Sequence, residues 1–167
     1  MIFLKEPKTG KIQTFENENQ IGIGLKLWKN ATKEEALNYK LDIAKEEKLA
    51  ELRKAYDEAQ WVNIKNTIEF RVQLRGNSFV LLRQKVTDAR ESGKASFTVQ
   101  QNGLNYTIQD IPYAEWQNFF QTVQPISEGN YNIKVEYENN IKNAKNQTEL
   151  NKIQLNFPNI QTVIINV

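Results

Sequence analysis

Apolar residues recur along this chain at two different periods, and the switches between them mark out its elements. Ile2-Phe3-Leu4 and Ile12-Gln13-Thr14-Phe15 flank Pro7-Lys8-Thr9-Gly10, a turn cluster with Pro and Gly at its ends, which predicts a small β unit. A third extended piece is expected over Ile21 to Trp28. Next, Thr32-Lys33-Glu34-Glu35 has the form of a capping box. In such a box the Thr hydroxyl accepts from the third helical amide and the Glu carboxylate reaches back to the cap amide. From there to about Gln60 there is no Pro or Gly, and Ala, Leu, Lys and Glu dominate, which predicts one long helix. Leu37, Leu41, Ala44, Leu49, Leu52, Ala55, Tyr56 and Ala59 keep helical spacing, but Lys45-Glu46-Glu47-Lys48 interrupts the stripe. At ~1.5 Å per residue the helix spans about 40 Å, so it is either a packed surface helix or a projecting stalk that associates with a copy or a partner helix.

The second half alternates strands and helices. Val62-Asn63-Ile64 and Ile68 to Leu74 alternate around Lys65-Asn66-Thr67, a hairpin pattern. Asn77 or Ser78 is expected to cap a helix carrying Phe79, Leu82, Val86 and Ala89, with Gly93 as its stop. A second hairpin places Phe97 and Val99 opposite Leu104, Tyr106 and Ile108 across Asn102-Gly103, the pair that supplies both positive-φ residues of a type I′ turn. Asp110 with Pro112 is expected to open a helix whose apolar face is Trp116, Phe119, Phe120 and Val123. Pro125 is expected to break it, with Ser127 capping a further helix to about Ala144 and Thr148-Glu149-Leu150 forming a short turn. The tail from Ile160 to Val167 is β-prone and almost without charge. Such a strand is an aggregation hazard if unpaired, so it must add to a sheet in this chain or another.

Because the strands come in adjacent hairpins, the pattern is α+β and not a parallel βαβ sheet. The expected divisions are a β unit over 1–31, the long helix over 32–60, a domain of antiparallel hairpins alternating with amphipathic helices over 61–157, and the β-prone tail over 158–167. No internal repeat is visible.

Composition narrows the chemistry. The 167 residues include no Cys and no His, which excludes disulfide scaffolds, thiolate zinc sites, Cys nucleophiles and His-based triads. A chain of this length buries enough surface to fold without such staples. The charge of +2 is nearly balanced, with 22 basic and 20 acidic residues interleaved, so neither nucleic acid nor an anionic lipid surface is expected as a partner. No apolar run approaches the ~20 residues of a membrane helix, and the apolar stretch at Ile2-Phe3-Leu4 is too short for a signal peptide. The product is expected in the cytoplasm where it is made, or outside only with a particle.

Catalysis would have to rest on carboxylates, Lys, Tyr or Ser. Asp88, Arg90 and Glu91 cluster near a helix end, as surface charges do in most helices. Asp110 is better explained as a cap than as an acid, and Glu136 and Glu138 lie on different sides of their helix. Gly22-Ile23-Gly24 lacks a third glycine, since Leu27 stands at that position, and neither a Walker nor a calcium-loop motif is present. No catalytic, cofactor or metal residue is assigned. Trp116, Phe119 and Phe120 share one stripe and read as core, as does Trp61. Trp28, between Lys26 and Lys29, either caps the long helix or stands exposed as a binding anchor. The candidate partner-binding residues are Trp28 and, in the tail, Ile160, Thr162, Val163, Ile164, Ile165 and Val167.

An ordered series of short motifs adds a resemblance. Lys48-Leu49-Ala50-Glu51-Leu52-Arg53-Lys54-Ala55-Tyr56-Asp57-Glu58-Ala59, the hairpin ending on Phe70, the Phe79–Gly93 helix, the Asn102-Gly103 to Trp116 segment and Ile141-Lys142-Asn143-Ala144 with Thr148-Glu149-Leu150 and Ile153 stand in sequence. Together, from about 48 to 157, they resemble a domain family of unknown molecular function found in tail-fibre and tail-fibre assembly proteins of phages and prophages. Asn66 stands where that family often has Gly, and the tail after Phe157 goes beyond its usual closing motif. The resemblance implies no catalytic residue. It implies a non-enzymatic, fibre-associated assembly factor (chaperone) or adaptor that binds a tail-fibre chain, with a self-associating virion structural subunit as the alternative and a carboxylate enzyme as a distant third.

Overall fold

The computed structural model describes residues 1–25, 27–65, 69–101, 103–158 and 162–164. They form an α+β chain that divides into two compact units, Met1–Glu51 with Asn140–Gln154, and Leu52–Asn139 with Leu155–Val167. Each unit takes segments far apart in sequence.

In the first unit, β1 (Ile2–Lys5) and β2 (Ile12–Phe15) pair antiparallel with Ile2 opposite Phe15. Their turn closes through Glu6 and Gly10, whose φ of 74° is the left-handed conformation that glycine takes without strain. The extended piece expected over Ile21 to Trp28 is not there. Short 3-10 turns occupy Glu18–Gln20 and Ile23–Leu25, and the third strand is β3 (Lys29–Asn30), paired to β1. The amides of Leu25 and Trp28 bond back to Gly22 and Leu25: with two glycines in the run, tight turns satisfy the backbone as well as a ladder would.

The long helix α1 (Lys33–Ala59) opens on the expected capping box. Glu35 N donates to Thr32 Oγ1 at 3.1 Å and Thr32 N donates to Glu35 Oε2 at 2.8 Å. Its charged break also has a partner within the unit, where Lys45 Nζ donates to the Lys142 carbonyl at 2.9 Å, a favourable cation at a helix C-terminus. Ala36 is buried in the first unit and Leu52 and Ala59 in the second, so α1 is a packed helix. Leu4, Ile141, Ala144 and Leu150 are buried in the first unit as well. The last of these lies on α4 (Gln147–Asn151), capped by Asn146.

The second unit holds the larger core. Strands β4 (Trp61–Lys65) and β5 (Glu69–Gln73) pair antiparallel from Trp61–Gln73 to Lys65–Glu69. Their turn, Asn66 included, lies outside the described residues. Helix α2 (Gly76–Ser92) is N-capped by Arg75 without a side-chain bond. The cap expected at Asn77 or Ser78 is therefore displaced, because Gly76 at φ 57° turns the chain into the helix earlier. Gly93 ends α2 at φ 84° as expected. Strands β6 (Lys94–Gln101) and β7 (Leu104–Pro112) form the second hairpin, with Gln101 opposite Leu104 and Gly103 at φ 77°; Asn102 lies outside the described residues.

Two further expectations are corrected around β7. Asp110 is not a helix cap but the positive-φ residue of a β-bulge (φ 57°), with its amide on Ser96 Oγ at 3.1 Å and its carboxylate on Lys94 at 3.1 Å. Pro125 does not break the helix that follows, and α3 runs unbroken over Tyr113–Asn143. Proline forfeits one helical bond, a cost of ~3 kcal/mol. Here buried Phe120 and Val123 before it and Ile126 after it keep the same apolar face on the core. Ser127 accordingly caps nothing; its hydroxyl donates to Gln60 Oε1 at 2.7 Å.

The core gathers Val62, Ile64, Val72, Leu82, Ala89, Phe97, Ile108 and Ile111 around the α3 aromatics. Trp116 packs edge-on to Phe97 and Phe119, with centroids 5.7 and 6.2 Å away, and donates from Nε1 to the Ala95 carbonyl at 3.2 Å. Trp116→Ala is expected to cost about 3–5 kcal/mol, measured by denaturant unfolding. In the first unit, the Thr32 amide and then Lys5 hold the Glu35 carboxyl below the usual glutamate range. Since the folded pKa is the lower one, this stabilisation is full above the unfolded value of about 4.3 and disappears as pH falls through the folded value. An NMR titration of Glu35 checks it, and Lys5→Gln should move the midpoint part-way back up.

Candidate functional site

Trp28 stands in the first unit, half-buried, directly after the turn Ile23–Leu25 and before β3. It lines an open groove of about 620 Å³ with Ile2, Leu4, Ile21 and Leu25, and with Glu18, Asn19 and Asn30 at its polar side. The same loop exposes two large apolar side chains, Ile23 at 85% and Leu27 at 84%. Trp28 does not cap α1; that position belongs to Thr32.

The tail residues lie in the second unit and divide by direction. Val163 and Ile164 form β8 (Val163–Ile164), parallel to β4 with Val163 opposite Ile64 and Ile164 opposite Lys65. Val163 is 9% exposed and belongs to the core, so its side chain is spent on its own chain; Ile164 is 60% exposed and Thr162 is exposed. Ile160, Ile165 and Val167 lie outside the described residues. The approach to β8 is anchored before the strand begins. Phe157 packs against Tyr56 and Tyr137 at 5.9 and 5.7 Å, and the Tyr137 hydroxyl accepts from the Asn156 amide at 3.2 Å. Burial raises the Tyr56 hydroxyl above its ordinary pKa.

A polar cluster that the sequence reading passed over holds this segment down. Asn130, fully buried, donates from Nδ2 to the Ala59 carbonyl at 3.2 Å and to the Pro158 carbonyl at 3.1 Å. Gln60, also fully buried, accepts from Ser127 and through its carbonyl receives the Leu74 amide at 2.8 Å. In a chain so rich in amides, nothing in the composition singled out these two. The usable signal was position: Asn130 falls where the apolar stripe of α3 continues, after Val123 and Ser127.

Comparison of the chain with protein-family models, with curated proteins and with solved structures finds no match.

The acidic candidates are not drawn together. Asp88 sits at the surface of α2, held below the usual aspartate range first by the Gln84 amide and then by Lys85 on its own helix. Glu138 pairs with Lys134 at 2.8 Å one turn away. Among the described residues no group of three or more acidic side chains is placed to hold a metal ion, and no helix is long and apolar enough to cross a membrane.

The two directions of β8 can be told apart by substitution. Val163→Asp is expected to lower the stability of the second unit by more than about 2 kcal/mol through burial of an unpaired charge. Ile164→Ser, on the exposed side, is expected to change it by less than about 0.5 kcal/mol. Thermal unfolding of the two variants makes the comparison, and equal effects would place Val163 outside the core.

Proposed function

We propose that this chain works by binding another protein, as an assembly factor or adaptor for a phage tail fibre. The observation that carries the reading is the half-buried indole of Trp28 lining an open groove, in a loop of the first unit that also exposes Ile23 and Leu27. A Trp set in a groove is the residue type most often found to anchor a protein contact. The fibre as partner follows from the motif series over about 48–157, which resembles the tail-fibre-associated domain family. The physics suits that partner, because fibre chains pass through slow intermediates with unpaired edges and apolar surface that a helper covers.

The test is capture of the tagged protein from cells producing the phage, with mass spectrometry of what co-purifies. A tail-fibre chain is the expected companion. Trp28→Ala should weaken that capture roughly tenfold or more, as loss of an interface anchor does, with unfolding unchanged. Recovery of the chain alone, as a defined oligomer, would replace this reading with that of a self-associating virion structural subunit.

A further inference from the structure

Two strand edges of the second unit open on one groove. Strand β5 ends the sheet of order β5-β4-β8, and β6 forms a two-stranded sheet with β7 alone. Between them lies a groove of about 290 Å³ whose lining includes Trp61, Arg71, Gln73, Leu81, Thr98 and Gln100.

The ladders fix which backbone groups face that groove. In an antiparallel pair, residues that exchange hydrogen bonds alternate with residues whose N–H and C=O point away. The Leu74 amide bonds to the Gln60 carbonyl at 2.8 Å. Counting back along β5 in steps of two puts Val72 opposite Val62 in the bonded class and turns the backbone groups of Gln73 and Arg71 outward. In the other hairpin, Gln101 and Leu104 close a two-residue loop, a bonded pair in this turn type. That turns the backbone groups of Gln100 and Thr98 away from β7. The 2.8 Å contact between the hydroxyls of Thr98 and Thr107 fits the same assignment, since side chains approach more closely across non-bonded pairs. Among the described residues no strand pairs with either edge.

The β6 edge is not blunted in the usual way. Exposed edges are ordinarily protected by charge, proline or a covering segment. Thr98 and Gln100 are uncharged, whereas the β5 edge carries Arg71, its guanidinium lying over the Trp61 ring at 4.9 Å and bonded to Glu58 at 2.8 Å. The groove also offers apolar surface, for Leu81 on α2 is 58% exposed and lines it.

We infer that this groove takes an extended strand from a partner protein, which hydrogen-bonds to the outward backbone groups of Thr98 and Gln100 and lies against β5. The inference rests on the reading of the chain as a protein-binding one and adds where, and in what conformation, the partner is held. A row of free amides and carbonyls asks for a backbone as its complement. The alternate side chains of the incoming strand then give specificity, apolar ones toward Leu81 and Trp61 and polar ones toward water. In this arrangement the chain accepts a strand from its partner.

A yeast-displayed library of random dodecapeptides, selected on the full-length chain, tests this without reference to any fibre. Enriched peptides are expected to alternate apolar and polar residues. They should bind Gln100→Pro at least tenfold more weakly than wild type and Gln100→Ala within twofold. Proline at this position leaves the ladder to β7 intact, because the amide it removes points outward. Should the proline variant unfold, hydrogen exchange on the wild-type chain decides instead, with the amides of Thr98 and Gln100 slowing on addition of the selected peptide. No enrichment, equal binding by the proline variant or unchanged exchange would overturn the inference, as would a dimer of the chain that Gln100→Pro makes monomeric. Failure of fibre capture with successful peptide selection would sink the fibre reading and leave the groove standing.

Discussion

The indole of Trp116 ties helix α3 to strand β6 by packing and by a hydrogen bond at once. Its ring meets Phe97 of β6 and Phe119 of its own helix edge to face, and its N–H is satisfied by the carbonyl of Ala95. A side chain this large stabilises a core only if its one polar atom finds a partner. The partner here lies next to the bulge that Asp110 introduces into β7. The bulge shifts the register between Ala95 and Phe97, and the helix begins directly after Pro112 with the Tyr113 amide on Gly93. The strained backbone at Asp110 and the anchored tryptophan are two sides of one arrangement.

Much of this was legible along the chain. Both hairpins, the long helix with its reciprocal cap, the glycine stop of α2 and the aromatic stripe of α3 are all local signals, written in period and capping chemistry within a few residues. The misreadings share a cause. Pro125 is a strong local stop, but the apolar positions on either side of it belong to one face of one core, and packing outweighs a single lost bond. Asp110 beside Pro112 has the chemistry of a cap, yet the same short acidic side chain also tolerates positive φ, and only the register of the hairpin decides between the two.

The candidate site was less legible for a related reason. Which residues are apolar and β-prone can be read from Ile160 to Val167, but which of them point inward depends on a parallel pairing to β4, a hundred residues earlier in the chain. Likewise Thr98 and Gln100 look like ordinary solvent-facing strand positions, and their open backbone edge follows from the absence of a neighbouring strand among the described residues. Asn130 is a plain amide in an amide-rich sequence until the chain folds and sets it against two carbonyls. Only its donor side is met there: Asn130 Oδ1 and Gln60 Nε2 are buried without a partner among the described residues, so the cluster fixes the position of this segment at a cost in desolvation.

The interleaving of the two units has a thermodynamic consequence. The first unit is completed by Asn140–Gln154, which returns only after the whole of 52–139 has been traversed. Closing a loop of that length in an unfolded chain costs about 4 kcal/mol of entropy on a logarithmic law, a large fraction of what a small unit can supply. The first unit therefore spends part of its packing on holding that long loop closed, a cost that a unit of the same size built from one contiguous segment does not face.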